Sequence, residues 1–297
     1  MSKVYCLGSL SADITVNVNK LPQKGEMVKG SGIEDIPGGR GQNQAIAARY
    51  YGAEVKLLGA VGSDLYGEAI KKNLMKFGLS LEYIKTMPNE TTDTKIIIRH
   101  GNDTQTILNT KLNESITEED VDAFLDDSKK GDILLTQLEL SLPVVKYAVK
   151  VASDKEMIVI INPYPATGDV VSLLPITNYL ITNQKEMQDL SDIMEIEKAS
   201  NSLDSLNTIV TMGEDGVYYV DEDVKFPALY PDLAIDTDAA GDIFIGAFAS
   251  LIAQGKLPIE AVDFARGAAS LSCLDKGGIL SIKGKKEVLE AIDRDDL

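Results

Sequence analysis

Short apolar runs alternate with longer helix-like stretches along most of the chain. Val4–Leu7, Val55–Val61, Asp132–Gln137, Met157–Ile161, Tyr179–Thr182 and Thr208–Thr211 are hydrophobic segments of strand length. That is the pattern of strands buried on both faces. Between them Glu68–Phe77 and Pro143–Ser153 read as helices, Pro258–Leu274 as a helix rich in small residues, and a last helix is expected from Lys285. Strand and helix in alternation predict an α/β fold, a doubly wound and mostly parallel sheet with helices on both faces. Two regions break the rhythm. Ile14–Val18 alternates apolar and polar residues, and Glu26–Lys29 is a second extended candidate after Pro22 and Gly25. Thr94–Ile98 and Thr104–Leu108 flank Gly101-Asn102-Asp103, a hairpin signal. Residues 1–297 are expected to form one domain, since no internal repeat, linker or low-complexity stretch interrupts them.

The apolar helix Ile243–Ala253 is preceded by Ile235-Asp236-Thr237-Asp238-Ala239-Ala240-Gly241-Asp242. Small residues ahead of a helix leave backbone N–H groups bare, and the helix dipole adds partial positive charge, which makes an anion site without a lysine. Asp242 stands at its mouth. An isolated Asp there is ordinarily a helix cap, but beside an anion site it is also placed to take a proton from a hydroxyl while the N–H groups hold a phosphoryl group. Pro37-Gly38-Gly39-Arg40-Gly41-Gln42-Asn43-Gln44 is a second site candidate, three glycines within four residues leading into a small-residue helix. Asp13 follows the first strand, on the side where open α/β sheets bind ligands. Asn183 and Glu186 have the spacing of a capping box at the start of a helix. The chain has neither the dinucleotide-binding glycine fingerprint nor a Gly-x4-Gly-Lys-[Ser/Thr] phosphate loop.

Composition narrows the partners. Forty-six acidic against 29 basic residues give a formal charge of −17, which disfavours nucleic acid and anionic membrane. A nucleotide phosphate must therefore be held by local dipoles and metal. Cys6 and Cys273 lie in apolar contexts without metal-ligand spacing, as buried thiols of a reducing compartment do. With no signal-peptide core and no apolar run near 18 residues, a cytoplasmic location is expected. The single histidine, His100, falls at the hairpin turn and receives no catalytic role.

Asp236-Thr237-x-Ala239-Ala240-Gly241-Asp242 resembles the C-terminal signature of the ribokinase-like (phosphofructokinase-B type) sugar kinases, with Ala239 where the family more often has Gly. Gly38-Gly39-x-Gly41-x-Asn43 resembles their N-terminal signature, some 200 residues earlier and in the expected order. Gln137-Leu138-Glu139, Asn162-Pro163-Tyr164-Pro165, Asn183-x-x-Glu186 and Thr211-x-Gly213-x-x-Gly216 are similar to further family segments. The likeness runs from Leu7 to Ser281. It implies ATP-dependent phosphorylation of a primary hydroxyl, with Asp242 as base and Ala239, Ala240 and Gly241 as the anion hole. It implies sugar binding by Ser11, Asp13, Gly38, Gly39, Asn43, Glu139 and Asp242. ATP would be held by Asn183, Thr211, Gly213, Gly216, Gly241 and Arg266, and magnesium reached through water from Asn183 and Glu186. A potassium activator would lie among Asp236, Asp238, Ser272, Gly277 and Ser281. Residues 14–36 and 93–111 would form a small β-sheet lid over the sugar, and its edge would pair with a second subunit in a homodimer. D-ribose is the first expected substrate. Deoxyribose, fructose or ketodeoxygluconate, a nucleoside, and a non-catalytic sensor are the alternatives. Ser11, Arg40 and Gln42 depart from the usual family residues Asn, Lys and Ala, so the pocket is where this chain is expected to be individual.

Overall fold

The computed structural model describes residues 1–101, 103–165, 168–197 and 206–295. In chain order its elements are β1 (Lys3–Leu7), β2 (Ser11–Val18), β3 (Gly30–Gly38), α1 (Arg40–Tyr50), β4 (Glu54–Gly62), α2 (Leu65–Lys76) and β5 (Ile84–Met87). There follow β6 (Thr94–His100), β7 (Asp103–Leu108), α3 (Glu118–Leu125), β8 (Ile133–Gln137), α4 (Leu142–Asp154), β9 (Ile158–Asn162), β10 (Tyr179–Asn183) and α5 (Gln184–Glu197). The C-terminal third supplies β11 (Asn207–Thr211), β12 (Val217–Tyr219), β13 (Val224–Phe226), α6 (Ala240–Ala253), α7 (Pro258–Ser272) and α8 (Lys285–Asp295).

Nine strands form one sheet in the order β13-β12-β11-β10-β9-β8-β1-β4-β5. Neighbours from β5 to β11 run parallel, and β12 and β13 close the far edge antiparallel. Successive side chains of a strand face opposite ways, and here the two faces feed two cores. Val4 and Cys6 of β1 join residues of α1, α2, α6, α7 and α8, whereas Tyr5 and Leu7 join residues of α3 and α4. Both sets are fully buried, which is why β1 reads as an unbroken apolar run. Helix α6 is buried nearly all round, including Phe244 and Phe248, so it lies inside the protein and holds its N-terminus firmly. A buried Phe contributes roughly 1.5–3 kcal/mol.

Strands β3-β2-β6-β7 make a separate four-stranded sheet. It begins at Ser11, three residues before the expected alternating run. The second extended piece is Gly30–Gly38 rather than Glu26–Lys29. β3 is mostly exposed and contains Gly30, Gly32, Pro37 and Gly38, so no hydrophobic period marks it. The hairpin lies where expected, with His100 opposite Asp103; Asn102 of its turn lies outside the described residues. Buried Asp93 ties the base of this sheet together. Its carboxylate accepts from the N–H groups of Leu112 (3.0 Å) and Asn113 (2.8 Å) and from Asn113 Nδ2 (2.8 Å), while Asn113 Oδ1 accepts from Leu10 N (2.9 Å). No helix among the described residues is long and apolar enough to cross a membrane.

Candidate active site

The carboxyl ends of β1, β8, β9, β10 and β11, the N-terminus of α6 and the inner face of the small sheet surround one cleft of about 1070 Å³. Asp242 lies in its wall, in the first turn of α6, and is only 8% exposed. The turn before it is tight: Ala239 takes left-handed backbone angles (φ 61°, ψ 2°), a conformation that favours glycine. Ala240 N donates to Thr237 O at 3.2 Å, so that N–H, expected in the anion hole, is engaged. The N–H groups of Gly241 and Asp242 have no backbone acceptor among the described residues and are the open donors of the turn.

The Asp242 carboxylate is held by helix α1. Asn43 Nδ2 donates to one oxygen at 3.1 Å and Gln44 Nε2 to the other at 3.0 Å. Gln137 Nε2 in turn donates to Gln44 Oε1 at 2.6 Å, so a buried amide relay from β8 fixes the carboxylate. Asn43 was expected on the sugar. It lines the cleft, but its amide nitrogen orients Asp242, and its Oδ1 is buried without a hydrogen-bond partner. Gln44 and Gln137 were not expected. The tight glycine run before α1 was the available signal for Gln44; for Gln137 it was the Gln137-Leu138-Glu139 segment at a strand end.

One end of the cleft is acidic and polar. Asp13 sits on β2, where Ser11 Oγ donates to its Oδ1 at 2.7 Å and the Lys95 ammonium lies 3.8 Å from its Oδ2. Glu139 accepts a hydrogen bond from Ser9 Oγ. Gly39 and Asn43 line the same end. Gly38 does not line the cleft: a Cβ there would stand 2.6 Å from both Asp13 oxygens, so this glycine makes room for the carboxylate. Burial pushes the pKa of Asp13 up against the opposing pull of Lys95 and Ser11. It does the same to Glu139 against Arg40 and Ser9.

A pH dependence follows. Raised folded-state values mean that the native protein binds more protons than the unfolded chain between the ordinary and the raised pKa. These two groups therefore lower stability as pH rises through that window and relieve the cost as it falls. Hydroxyl donors need both carboxylates ionised, so ligand binding runs the other way. The KM for a polyol is therefore expected to begin rising on acidification at a pH above the usual carboxylate range of about 4. A KM that does not rise as these carboxylates are protonated would count against them as hydroxyl acceptors.

Arg40 stands at the middle of the cleft. Nη1 donates to Asn162 Oδ1 at 2.8 Å and Nη2 to Glu186 Oε1 at 3.4 Å; Nε lies 4.0 Å from Glu139, and the guanidinium covers the Tyr164 ring at 3.8 Å. Burial works against its charge, but Asp242, Glu186 and Glu139 outweigh that and hold its pKa above the ordinary value. Sequence reading marked Arg40 as unusual and gave it no role. The structure makes it the cation that spans the two ends of the site.

At the other end, Asn183 Oδ1 accepts from Glu186 N (2.8 Å) and Glu186 Oε2 from Asn183 N (3.0 Å), the expected reciprocal cap. Thr211, Gly213 and Gly216 line this end, and Met212 N closes the loop on Gly216 O at 2.7 Å. Gly216 has φ 92°, and a Cβ there would meet the Phe226–Ala228 backbone. Arg266 lines the cleft too, but its guanidinium serves Asp263 (2.6 Å), Asp295 (2.9 Å) and Pro227 O (2.9 Å). It braces this wall rather than offering free charge.

Beside the cleft, Asp236 bridges two segments, accepting from Asp238 N and from Gly277 N, each at 3.1 Å. A Cβ at Gly278 would stand 3.8 Å from Ala239 Cβ and 3.9 Å from Asp238 O. The Asp238 carboxylate has another partner, Arg99 of β6 at 2.9 Å, so its side chain ties the anion turn to the small sheet. Ser272 and Ser281 are buried and donate to Ala269 O and Gly278 O, each at 2.7 Å. Among the described residues no cluster of three or more His, Cys, Asp or Glu could hold a metal ion.

Comparison with known proteins agrees with this arrangement. The model of the pfkB family carbohydrate kinases matches residues 1–284. Ribokinase of Bacillus subtilis is 32% identical over 294 residues, covering 98% of this chain and all of that one. Deoxyribokinase of Salmonella typhi is 30% identical over 263 residues, or 84% of this chain and 86% of that one. The crystal structure of ribokinase from Thermotoga maritima superposes with a TM-score of 0.84 at 28% identity, covering 99% of this chain and all of the other. With its cleft built on these signatures and the family model spanning nearly its whole length, the chain belongs to the pfkB family of carbohydrate kinases.

Proposed function

We propose that this chain transfers the γ-phosphoryl group of ATP to the primary hydroxyl of D-ribose, giving ribose 5-phosphate and ADP. The observation that carries the reading is the setting of Asp242: a buried carboxylate held on both oxygens by Asn43 and Gln44, next to the open N–H groups of Gly241 and Asp242. Asp13, Gly39, Asn43 and Glu139 hold the sugar. The primary hydroxyl gives its proton to Asp242 as its oxygen bonds to the γ-phosphorus and the bond to the β-phosphate oxygen breaks. The helix N-terminus and Arg40 hold the charge on the transferred group. ATP lies along Asn183, Thr211, Gly213, Gly216 and Gly241.

Glu186 and Asn183 already accept protein hydrogen bonds, so they fit a magnesium ion reached through its own waters, as that ion prefers. When bound, it neutralises β,γ-phosphate charge. Asp236, Ser272, Gly277 and Ser281 fit a potassium site beside the anion turn, to which Asp238 adds its backbone. The small sheet serves as a lid that excludes water. Ile33 and Ile107, 73% and 60% exposed on it, support a homodimer through this sheet, which sedimentation analysis checks. Two free cysteines and the use of ATP fit a cytoplasmic enzyme.

The direct test is ATP-to-ADP turnover with ribose, deoxyribose, fructose, ketodeoxygluconate and nucleosides, each with and without potassium. Strong ribose turnover is expected, increased by potassium. Turnover only with another compound would move the substrate, and binding of ATP without turnover of any of them would remove the kinase reading.

A further inference from the structure

Lys95 is the one residue of the cleft's acidic end that is carried by the small sheet, is charged, and has no part in the mechanism above. β2 and β6 run parallel with Asp13 and Lys95 in register, so the two side chains stand side by side on the same face. The Nζ–Oδ2 separation of 3.8 Å keeps the charges together but is too long for a hydrogen bond. Among the described residues no side-chain or backbone acceptor takes a Lys95 hydrogen bond, and the side chain is 38% exposed toward the cleft that it lines. An ammonium with three donors in that setting lacks only an acceptor. Asp13 Oδ1 is already turned by Ser11, leaving Oδ2 on the Lys95 side.

We propose that the Asp13–Lys95 pair reads a vicinal diol, with one hydroxyl donating to Asp13 and the neighbouring hydroxyl oxygen accepting from Lys95. Lys95 is then a specificity residue, and the substrate class is a neutral sugar with that diol intact. A deoxy sugar leaves one of the two charges without its hydroxyl. A sugar acid brings a negative charge to a cleft where, among the described residues, six lining carboxylates (Asp13, Glu139, Glu186, Glu214, Asp238 and Asp242) already outnumber four cations (Arg40, Lys95, Lys185 and Arg266). Because Lys95 belongs to the small sheet, the diol is checked only when that sheet lies over the sugar. The inference rests on the sugar-kinase reading.

The experiment measures kcat and KM for ribose, 2-deoxyribose and ketodeoxygluconate, and KM for ATP, in wild type, Lys95→Met and Lys95→Arg. A hydrogen bond to a charged group sets the scale, so wild type is expected to prefer ribose over 2-deoxyribose roughly 10- to 100-fold in kcat/KM. Lys95→Met should cut that preference to a few-fold through KM for ribose, with KM for ATP unchanged. Lys95→Arg should restore part of the preference, because a donor is returned. A ribose preference that survives Lys95→Met unchanged would overturn the inference while leaving the kinase reading intact. So would a Lys95→Met that weakens both sugars equally, as a merely structural role predicts. Absence of wild-type turnover with every sugar would remove both readings together.

Discussion

Asp242→Asn is expected to retain ATP binding and lose turnover by roughly 10²- to 10⁴-fold, the worth of a positioned general base. The substitution is close to isosteric, so α6 and its open N–H groups stay in place. It does exchange one acceptor oxygen for an NH₂ group that faces the amide of Asn43 or Gln44. Asn43 can turn to present its unpartnered Oδ1 to the new amide, which keeps the packing. Nucleotide binding by calorimetry, with single-turnover phosphoryl transfer, separates the two effects. A variant that turns over within about threefold of wild type would exclude Asp242 as the base.

Gly246→Ala should damage the same chemistry from about one turn away. Gly246 lies where α6 crosses α1 at backbone distance. A Cβ there would overlap Gln44 O and stand 2.6 Å from Ala47 Cβ and 2.9 Å from Ala48 N. The obstacle is the backbone of α1, which cannot rotate away as a side-chain tip can. Overpacking of this kind costs about 1–3 kcal/mol. For a chain this size that means a fall in Tm of roughly 2–4 °C per kcal/mol. The activity loss should exceed what the stability loss explains, because parting α1 from α6 draws Asn43 and Gln44 off Asp242. The check is kcat measured well below the melting temperature, alongside a thermal melt. Unchanged Tm and unchanged kcat together would show that the helices are not locked at this crossing.

These two cases show how far the sequence could be read. Six strands of the nine-stranded sheet were legible because strands such as β1 and β8 are buried on both faces and leave continuous apolar runs. β5 was not, since Ile84-Lys85-Thr86-Met87 is half exposed and too short to show a period. β3 was misplaced for the related reason that its glycines and exposed side chains follow no pattern. Within the site, residues in local signatures were legible: Asp13, Gly39, Glu139, Asn183, Asp242. Residues whose meaning is a partner far along the chain were not. Asn43 and Gln44 meet Asp242 across about 200 positions only because Gly246 lets two helices touch. Arg40 draws its meaning from Glu139, Asn162, Tyr164 and Glu186, on three other segments, and Asp238 acquires Arg99 only when the small sheet is set down over the turn. Sequence spacing carries no record of such meetings, which tertiary packing alone decides.

The position of β1 has a consequence for how the protein is made. β1, the first of these strands in chain order, is an inner strand of the sheet, lying between β4 and β8. It has no second neighbour until residue 137 has been synthesised, and α6, which covers α1, is complete only at residue 253. At about 5–20 residues per second, α6 is complete only roughly 10–50 s after β1 has been made. For that interval the apolar residues of β1 and the small-residue face of α1 lie open on the nascent chain. Shielding during translation is therefore a requirement that this topology imposes on the cell, and fragments ending before α6 lack the means to close their own core.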